Sequence, residues 1–136
     1  MNIQKIKIPI YGKELMLIQA SREDTDQFRG FLGTYLGKKY SGQLKTIEDA
    51  CEDVEKWRNM AFLLSNTYYH KYVIVIVEPD NRIELISQLS HEIRHFVDEM
   101  GGKIGLELEG EAAAYLTQYV MKQCLDKLDL FDSQKD

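Results

Sequence analysis

The chain begins with two stretches in which apolar residues recur among polar ones. Their apolar members are Ile3, Ile6, Ile8 and Ile10, then Leu15, Leu17 and Ala20. They flank Tyr11-Gly12-Lys13, where the glycine can adopt the positive φ that a hairpin turn requires. The pattern therefore predicts two short strands joined by a tight turn.

Two helices are predicted in the next part of the chain. Ser21 or Asp24 can cap a first helix, whose apolar positions are Phe28, Phe31, Leu32 and Tyr35. Tyr40-Ser41-Gly42 predicts a loop, and Thr46 followed by Asp49 predicts the start of a stronger helix. The apolar residues of this second helix recur at helical spacing: Ile47, Ala50, Val54, Trp57, Ala61 and Leu64. We expect it to be long and buried along one side.

The run from Tyr72 to Val77 is continuously apolar and mostly β-branched, which is typical of a strand covered on both faces. Asp80 or Asn81 can then cap a helix, and with Asn81 as the N-cap, Glu84 occupies the third helical position of a capping box. We expect this helix to end at Gly101-Gly102.

The segment after these glycines alternates Ile104, Leu106 and Leu108, which predicts a strand or an extended loop. Glu111 begins a last helix that is expected to reach Leu125 or beyond. Together these elements predict an α+β fold in one domain spanning residues 1–136, because no internal repeat or linker divides the chain.

Composition narrows the classes of protein to consider. Of the 136 residues, 44% are hydrophobic, and 22 acidic residues outweigh 17 basic ones to give a net charge of -5. The lysines and arginines are scattered, which argues against a nucleic-acid partner. No stretch approaches a membrane span or a signal peptide, so we expect no membrane partner. Cys51 and Cys124 share no C-x-x-C spacing and are expected to be buried, reduced thiols of a cytoplasmic protein.

The predicted capped helix contains His91-Glu92-Ile93-Arg94-His95, an H-E-x-x-H motif. Residues four apart lie about 40° apart around a helix, so the two imidazoles can converge on one metal ion. Glu92 points to the side, where it can reach a metal-bound water without being a ligand. The motif therefore predicts a catalytic zinc site with His91 and His95 as two of its ligands.

A catalytic zinc uses three protein ligands and leaves one position open for water. The third ligand can come from His70, Cys124 or an acidic residue, and Glu111 is the best candidate. The small residues Ala112, Ala113 and Ala114 follow it and favour close approach of its helix to the histidine helix. Glu107 and Glu109 are rivals, since all three glutamates alternate along one acidic stretch.

The same elements resemble the gluzincin metallopeptidases and, from Tyr72 to Tyr119, the very small gluzincin-type peptidases encoded in phages and prophages. The resemblance rests on Glu78-Pro79-Asp80, His91-Glu92-Ile93-Arg94-His95 with Val97-Asp98, and Glu111-Ala112-Ala113-Ala114-Tyr115-Leu116. It implies a zincin-like fold, Zn²⁺ held by His91, His95 and Glu111, Glu92 as the general base, and a protein or peptide substrate. The resemblance covers about the C-terminal half of the chain, and Arg94 stands where such proteins usually have a hydrophobic or small residue.

Three further residues have both a functional and a structural interpretation. Tyr115 is a candidate catalytic residue that would donate to the developing oxyanion, although a core tyrosine is the alternative. Asp98 either orients a histidine ring or is a plain surface carboxylate. His70 is either an oxyanion donor near the cleft or an exposed loop residue.

The motif helix also permits an interpretation without metal. Its apolar stripe (Ile86, Leu89, Ile93, Phe96 and Met100) lies opposite the histidines, which then simply occupy a solvated face. The last helix favours the metal site, because Leu116, Val120 and Cys124 form its apolar stripe while Glu111 and Tyr115 lie on another face. Two facing polar stripes predict a shared buried ion.

The predicted function is therefore peptide-bond hydrolysis by a zinc metallopeptidase. Two alternatives remain open: a non-catalytic zinc-binding structural or interaction protein of a phage or prophage, and a regulatory peptidase that cleaves a repressor. The sequence indicates neither the substrate preference nor the oligomeric state.

Overall fold

A computed structural model describes residues 1–37 and 41–128 of the chain, without the side chains of residues 41–45. The strands are β1 (Asn2–Ile8), β2 (Lys13–Ala20), β3 (Met60–Asn66) and β4 (Lys71–Val77). The helices are α1 (Thr25–Leu32), α2 (Ser41–Lys56), α3 (Arg82–Lys103) and α4 (Glu111–Lys127). Shorter turns of 3₁₀ helix cover Pro9–Tyr11 and Arg22–Asp24, and a π-helical segment, Gly33–Gly37, continues α1.

The four strands form one mixed sheet in the order β1-β2-β4-β3. β1 and β2 are antiparallel, β2 and β4 are parallel, and β3 pairs antiparallel with β4 at the other edge. The predicted N-terminal hairpin is confirmed, with Gly12 at φ 63° after the 3₁₀ turn. The predicted hairpin and the later predicted strand, β4, are parts of a single sheet.

Helices cover both faces of this sheet, because its inner strand β4 is apolar on both sides. Tyr72, Ile74 and Ile76 of β4 pack with α3 and α4, whereas Val73, Val75 and Val77 pack with α1 and α2. All six side chains are buried, as the β-branched run predicted. The α+β class is confirmed.

The prediction of one long helix from Thr46 to Leu64 is wrong. α2 begins earlier, at Ser41, and ends at Lys56, while Ala61 and Leu64 belong to the edge strand β3. Asn59, with φ 53°, separates the two elements. The apolar run that follows it fits either period, and pairing with β4 decides for a strand. Of the predicted loop, Ser41 and Gly42 are helical and Tyr40 lies outside the described residues.

The start of α3 agrees with the sequence, but its end does not. Asn81 Oδ1 accepts a hydrogen bond from the Glu84 backbone N–H at 2.8 Å, as expected of the N-cap. The helix continues through Gly101 to Lys103, and Gly105, at φ 78°, follows. A Cβ on Gly101 would lie 3.2 Å from Leu106 Cδ2, so this glycine allows close packing rather than stopping the helix.

The segment between α3 and α4 forms turns and contains no strand, so of the two predicted forms the extended strand is absent. Its Leu106 side chain packs against the core instead. α4 begins at Glu111, as predicted. Among the described residues, no helix combines the length and the apolar composition required to cross a bilayer.

Candidate metal and catalytic site

α3 places the two histidines of the motif side by side. His91 Nε2 and His95 Nε2 are 3.0 Å apart, and the rings meet edge to face at 79° with centroids 4.7 Å apart. Two nitrogens bound to one tetrahedral zinc, each at about 2.0–2.1 Å, are separated by about 3.3 Å. The side-chain nitrogens therefore fit a shared metal ion with a shift of a few tenths of an ångström.

The orientation of the pair follows from the packing of α3. Leu89, Ile93 and Phe96 are fully buried against the sheet, and Phe96 meets Tyr72 edge to face with ring centroids 5.2 Å apart. This stripe fixes the rotation of the helix, so that His91 and His95 are exposed. The predicted apolar stripe is confirmed except for Ile86, which is partly buried.

Glu92 lies between α3 and the edge strand β3. Its carboxylate is half-buried and accepts a hydrogen bond from the backbone N–H of Leu63. Burial raises the pKa of Glu92, while His95, His91 and the Leu63 N–H act in the opposite direction. A raised pKa makes the Glu92 carboxylate a stronger base than a free glutamate, which is compatible with the general-base role that the motif predicts.

A groove of about 360 Å³ runs between α3 and the start of β3. We call it the motif groove, and its lining consists of Asn59, Met60, Ala61, Ser87, Gln88, His91 and Glu92. One wall is the edge strand that sequence periodicity assigned to a helix. The apolar run after Arg58-Asn59 was the only signal that could have revealed this wall.

Gln88 ties the two walls of the motif groove together. Its Nε2 donates to Asn59 O at 3.0 Å and to Asn59 Oδ1 at 2.9 Å. Its Oε1 is shielded from solvent and has no hydrogen-bond partner among the described residues. This oxygen can accept a hydrogen bond only after a small movement of the side chain exposes it to the groove.

The fold does not place a third metal ligand beside His91 and His95. In the part of the chain that the structure describes, no third histidine, cysteine, aspartate or glutamate joins the pair in a group able to hold a metal. Glu111 lies in the first turn of α4 and is exposed, as are Glu107 and Glu109. The role of Glu111 as the third metal ligand therefore stays a prediction.

The expectation of an ion buried between facing polar stripes is wrong, because α3 and α4 both present their apolar stripes to the core. In α4 the buried residues include Leu116, Val120 and Cys124. His91, His95 and Glu111 are all exposed instead. An ion on the two histidines would lie at the surface.

The remaining candidates lie elsewhere. Tyr115 is 66% exposed and lines a separate apolar groove with Ile10 and Tyr119, so it is outside the motif groove and is not a core residue either. Asp98 Oδ1 is 3.2 Å from Arg94 Nε, one turn away, which gives Arg94 a partner on the helix surface. His70 ends the turn between β3 and β4.

Comparison with known proteins adds no identification. No family model matches the chain, and neither does any curated protein or solved structure.

Proposed function

We propose that this chain is a zinc-dependent metallopeptidase with a zincin-like arrangement of its helix α3 and its sheet. The main support for this proposal is that the Nε2 atoms of His91 and His95 are 3.0 Å apart and that the half-buried Glu92 lies beside them at the edge strand β3. A solvated helix face accounts for the exposed histidines, and the hydrogen bond from Leu63 accounts for the orientation of Glu92. The motif chemistry gives the three side chains one shared role, which supports the proposal.

The proposed roles follow from these positions. His91 and His95 serve as metal ligands, and Glu111 is the proposed third ligand. When bound, zinc lowers the pKa of a coordinated water toward about 7 and polarises a carbonyl group. Glu92 accepts the proton of the attacking water and later donates it to the leaving amine.

The substrate class is a protein or peptide in an extended conformation. β3 is an outer strand, so one of its edges is not paired with any described strand. An extended peptide can add to such an edge through main-chain hydrogen bonds. The unpartnered Gln88 Oε1 can accept an N–H from the same peptide if the side chain shifts to expose this shielded atom.

Replacement of the proposed base tests this function. In Glu92→Gln we expect an unchanged zinc content and a loss of peptide hydrolysis of about 10²-fold or more, because the amide cannot accept the proton. Glu99→Gln is the matched control, since Glu99 is an exposed glutamate of the same helix. Full activity in Glu92→Gln, with zinc bound, would refute the assignment.

One observation favours a second candidate, a non-catalytic zinc-binding structural or interaction protein. The histidine pair is exposed and lacks a third described ligand, which suits a metal bridging to a partner. In that case the wild-type protein binds zinc and hydrolyses no peptide. In either case, buried free thiols at Cys51 and Cys124 suit a reducing compartment such as the cytoplasm.

A further inference from the structure

A second groove, of about 510 Å³, collects basic side chains on an otherwise acidic protein. We infer that it is a binding site for a compact anion carrying a phosphate or carboxylate group. We call it the basic groove, and its charged and polar lining includes Lys7, Lys13, His70 and Lys71 together with Glu14. The inference does not depend on the proposed peptidase function.

The topology of the sheet assembles these residues. β2 and β4 are parallel, so Lys13 and Lys71, the first residues of the two strands, lie at the same end of the sheet. β1 is antiparallel to β2, which brings the last residues of β1 to that end and pairs Lys7 with Glu14. Lys71 is far from Lys7 and Lys13 in the sequence, and Glu14 stands among them, which is why the sequence showed no basic cluster.

The positive charges of the basic groove are not neutralised within the described part of the chain. No described carboxylate lies within ion-pair distance of Lys7, Lys13 or Lys71. Glu14 is already engaged, because its carboxylate accepts a hydrogen bond from Tyr35 Oη at 3.2 Å and lies 3.7 Å from Lys5 Nζ. Lys71 Nζ lies 4.9 Å from the centre of the Tyr35 ring, which attracts a cation but carries no net charge. Three lysines and one engaged carboxylate therefore give the lining of the groove a local excess of positive charge that attracts an anion.

His70 adds a hydrogen-bonding group at the wall of the groove. Its Nδ1 is shielded from solvent and has no partner among the described residues. Its backbone is held at φ 54° by the turn, in which the His70 N–H donates to Thr67 O at 3.4 Å. Glycine or asparagine suits this conformation better than most residues. An imidazole there costs some backbone strain, and its shielded Nδ1 reaches a bound anion only when the ring turns toward the groove.

The size and charge of the groove define the ligand class. A volume of about 510 Å³ suits a small molecule or a single anionic group of a larger one. Lysine is a point-charge partner of phosphate and of carboxylate alike, so the shared chemistry is that of a compact oxyanion. An extended polyanion such as nucleic acid is disfavoured by the net charge of -5 over the whole chain.

Titration of the ¹⁵N-labelled protein with inorganic phosphate, and separately with acetate, tests the site at constant ionic strength. We expect saturable shifts of the backbone N–H signals of Lys13, His70 and Lys71 with at least one of the two anions. Lys13→Gln and Lys71→Gln should each weaken the binding by about fivefold or more. Lys122 is an exposed lysine on α4, and Lys122→Gln should leave the anion affinity unchanged.

His70→Asn separates the role of the imidazole from that of the turn. Asparagine tolerates a positive φ, so the variant should fold with an unchanged circular dichroism spectrum and bind the anion more weakly. Preference for phosphate or for acetate supports the site and identifies the ligand class. Shifts that do not saturate with either anion, or equal weakening by Lys122→Gln, would overturn the inference.

Discussion

His91 and His95 hold their Nε2 atoms 3.0 Å apart on the exposed face of α3. A direct hydrogen bond between the two nitrogens requires one ring to carry its proton on Nε2 and the other to have Nε2 unprotonated, whereas a metal ion takes a lone pair from both. We expect zinc to bind stoichiometrically and to raise the unfolding temperature of the wild-type protein. His95→Ala should abolish both effects.

The third histidine of the chain provides the control for this prediction. His70 lies in the β3–β4 turn, and His70→Asn should retain zinc at the wild-type level. Elemental analysis after dialysis and thermal unfolding with and without zinc measure the two effects. Equal zinc content in His95→Ala and the wild type would contradict the site.

The glutamates before and within α4 allow a direct test of the third ligand. We expect Glu111→Gln to weaken zinc binding by about tenfold or more, because an amide oxygen is a weaker ligand than a carboxylate. Glu107→Gln and Glu109→Gln are matched controls on the same exposed stretch. Competition with a chromophoric chelator measures the affinities. If only Glu109→Gln weakens zinc binding, Glu109 is the third ligand. If none of the three variants weakens it, no carboxylate of this segment binds zinc together with His91 and His95.

The sequence predicted that His91 and His95 lie side by side, because their placement depends on one helix. The cap at Asn81 and the apolar stripe through Leu89, Ile93 and Phe96 are local signals, and they determine where α3 begins and which way it faces. The strand β4 was predictable for a similar reason, since a β-branched run buried on both faces carries its own signature.

The features that depend on distant pairings were not predictable. The run from Met60 to Leu64 is apolar without a distinct period, and only its pairing with β4 makes it a strand. The wall of the motif groove that faces Glu92 was therefore missed. The basic groove was missed for the same reason, because Lys7, Lys13 and Lys71 meet only through the strand order of the sheet.

The link between Gln88 and Asn59 gives a prediction about the motif groove. Gln88→Ala removes two hydrogen bonds to Asn59 and should lower the free energy of unfolding by about 1–2 kcal/mol. If the proposed peptidase function holds, it should also raise KM for a peptide more than it lowers kcat, because Gln88 positions substrate and takes no part in proton transfer. Urea unfolding and steady-state kinetics measure these effects. Ser87→Ala, in the same lining, should change neither, and equal effects of the two variants would contradict the role of Gln88.

Both cysteines should be unreactive in the folded protein. Burial raises the pKa of the Cys124 thiol to about 12 and also raises that of Cys51. The thiolate is the reactive form, so a disulfide reagent such as DTNB at pH 8 should modify neither thiol under native conditions. After unfolding in guanidinium chloride, both of the two cysteines should react. Rapid modification of the native protein would show that one of these residues is accessible.

The turn before α1 predicts a specific dependence of stability on pH. The Ser21 backbone N–H donates to Asp24 Oδ2 at 2.9 Å, and this bond is the main reason that the pKa of Asp24 is lowered. The folded-state pKa is therefore below the unfolded value, so the ionised carboxylate stabilises the protein above about pH 4, and this contribution is lost as the pH falls through the folded-state pKa.

We expect Asp24→Asn to lower the free energy of unfolding by about 1 kcal/mol at pH 7, because the amide keeps an acceptor oxygen but loses the charge that strengthens the hydrogen bond. The difference from the wild type should shrink as the wild-type carboxylate becomes protonated below about pH 4. Asp26→Asn, in the first turn of α1, is the control, since the exposed Asp26 makes only a surface ion pair with Arg29 at 3.4 Å. Urea unfolding at pH 7, 5 and 3 measures the three proteins, and a difference between Asp24→Asn and the wild type that stays constant with pH would show that the charge of Asp24 does not contribute.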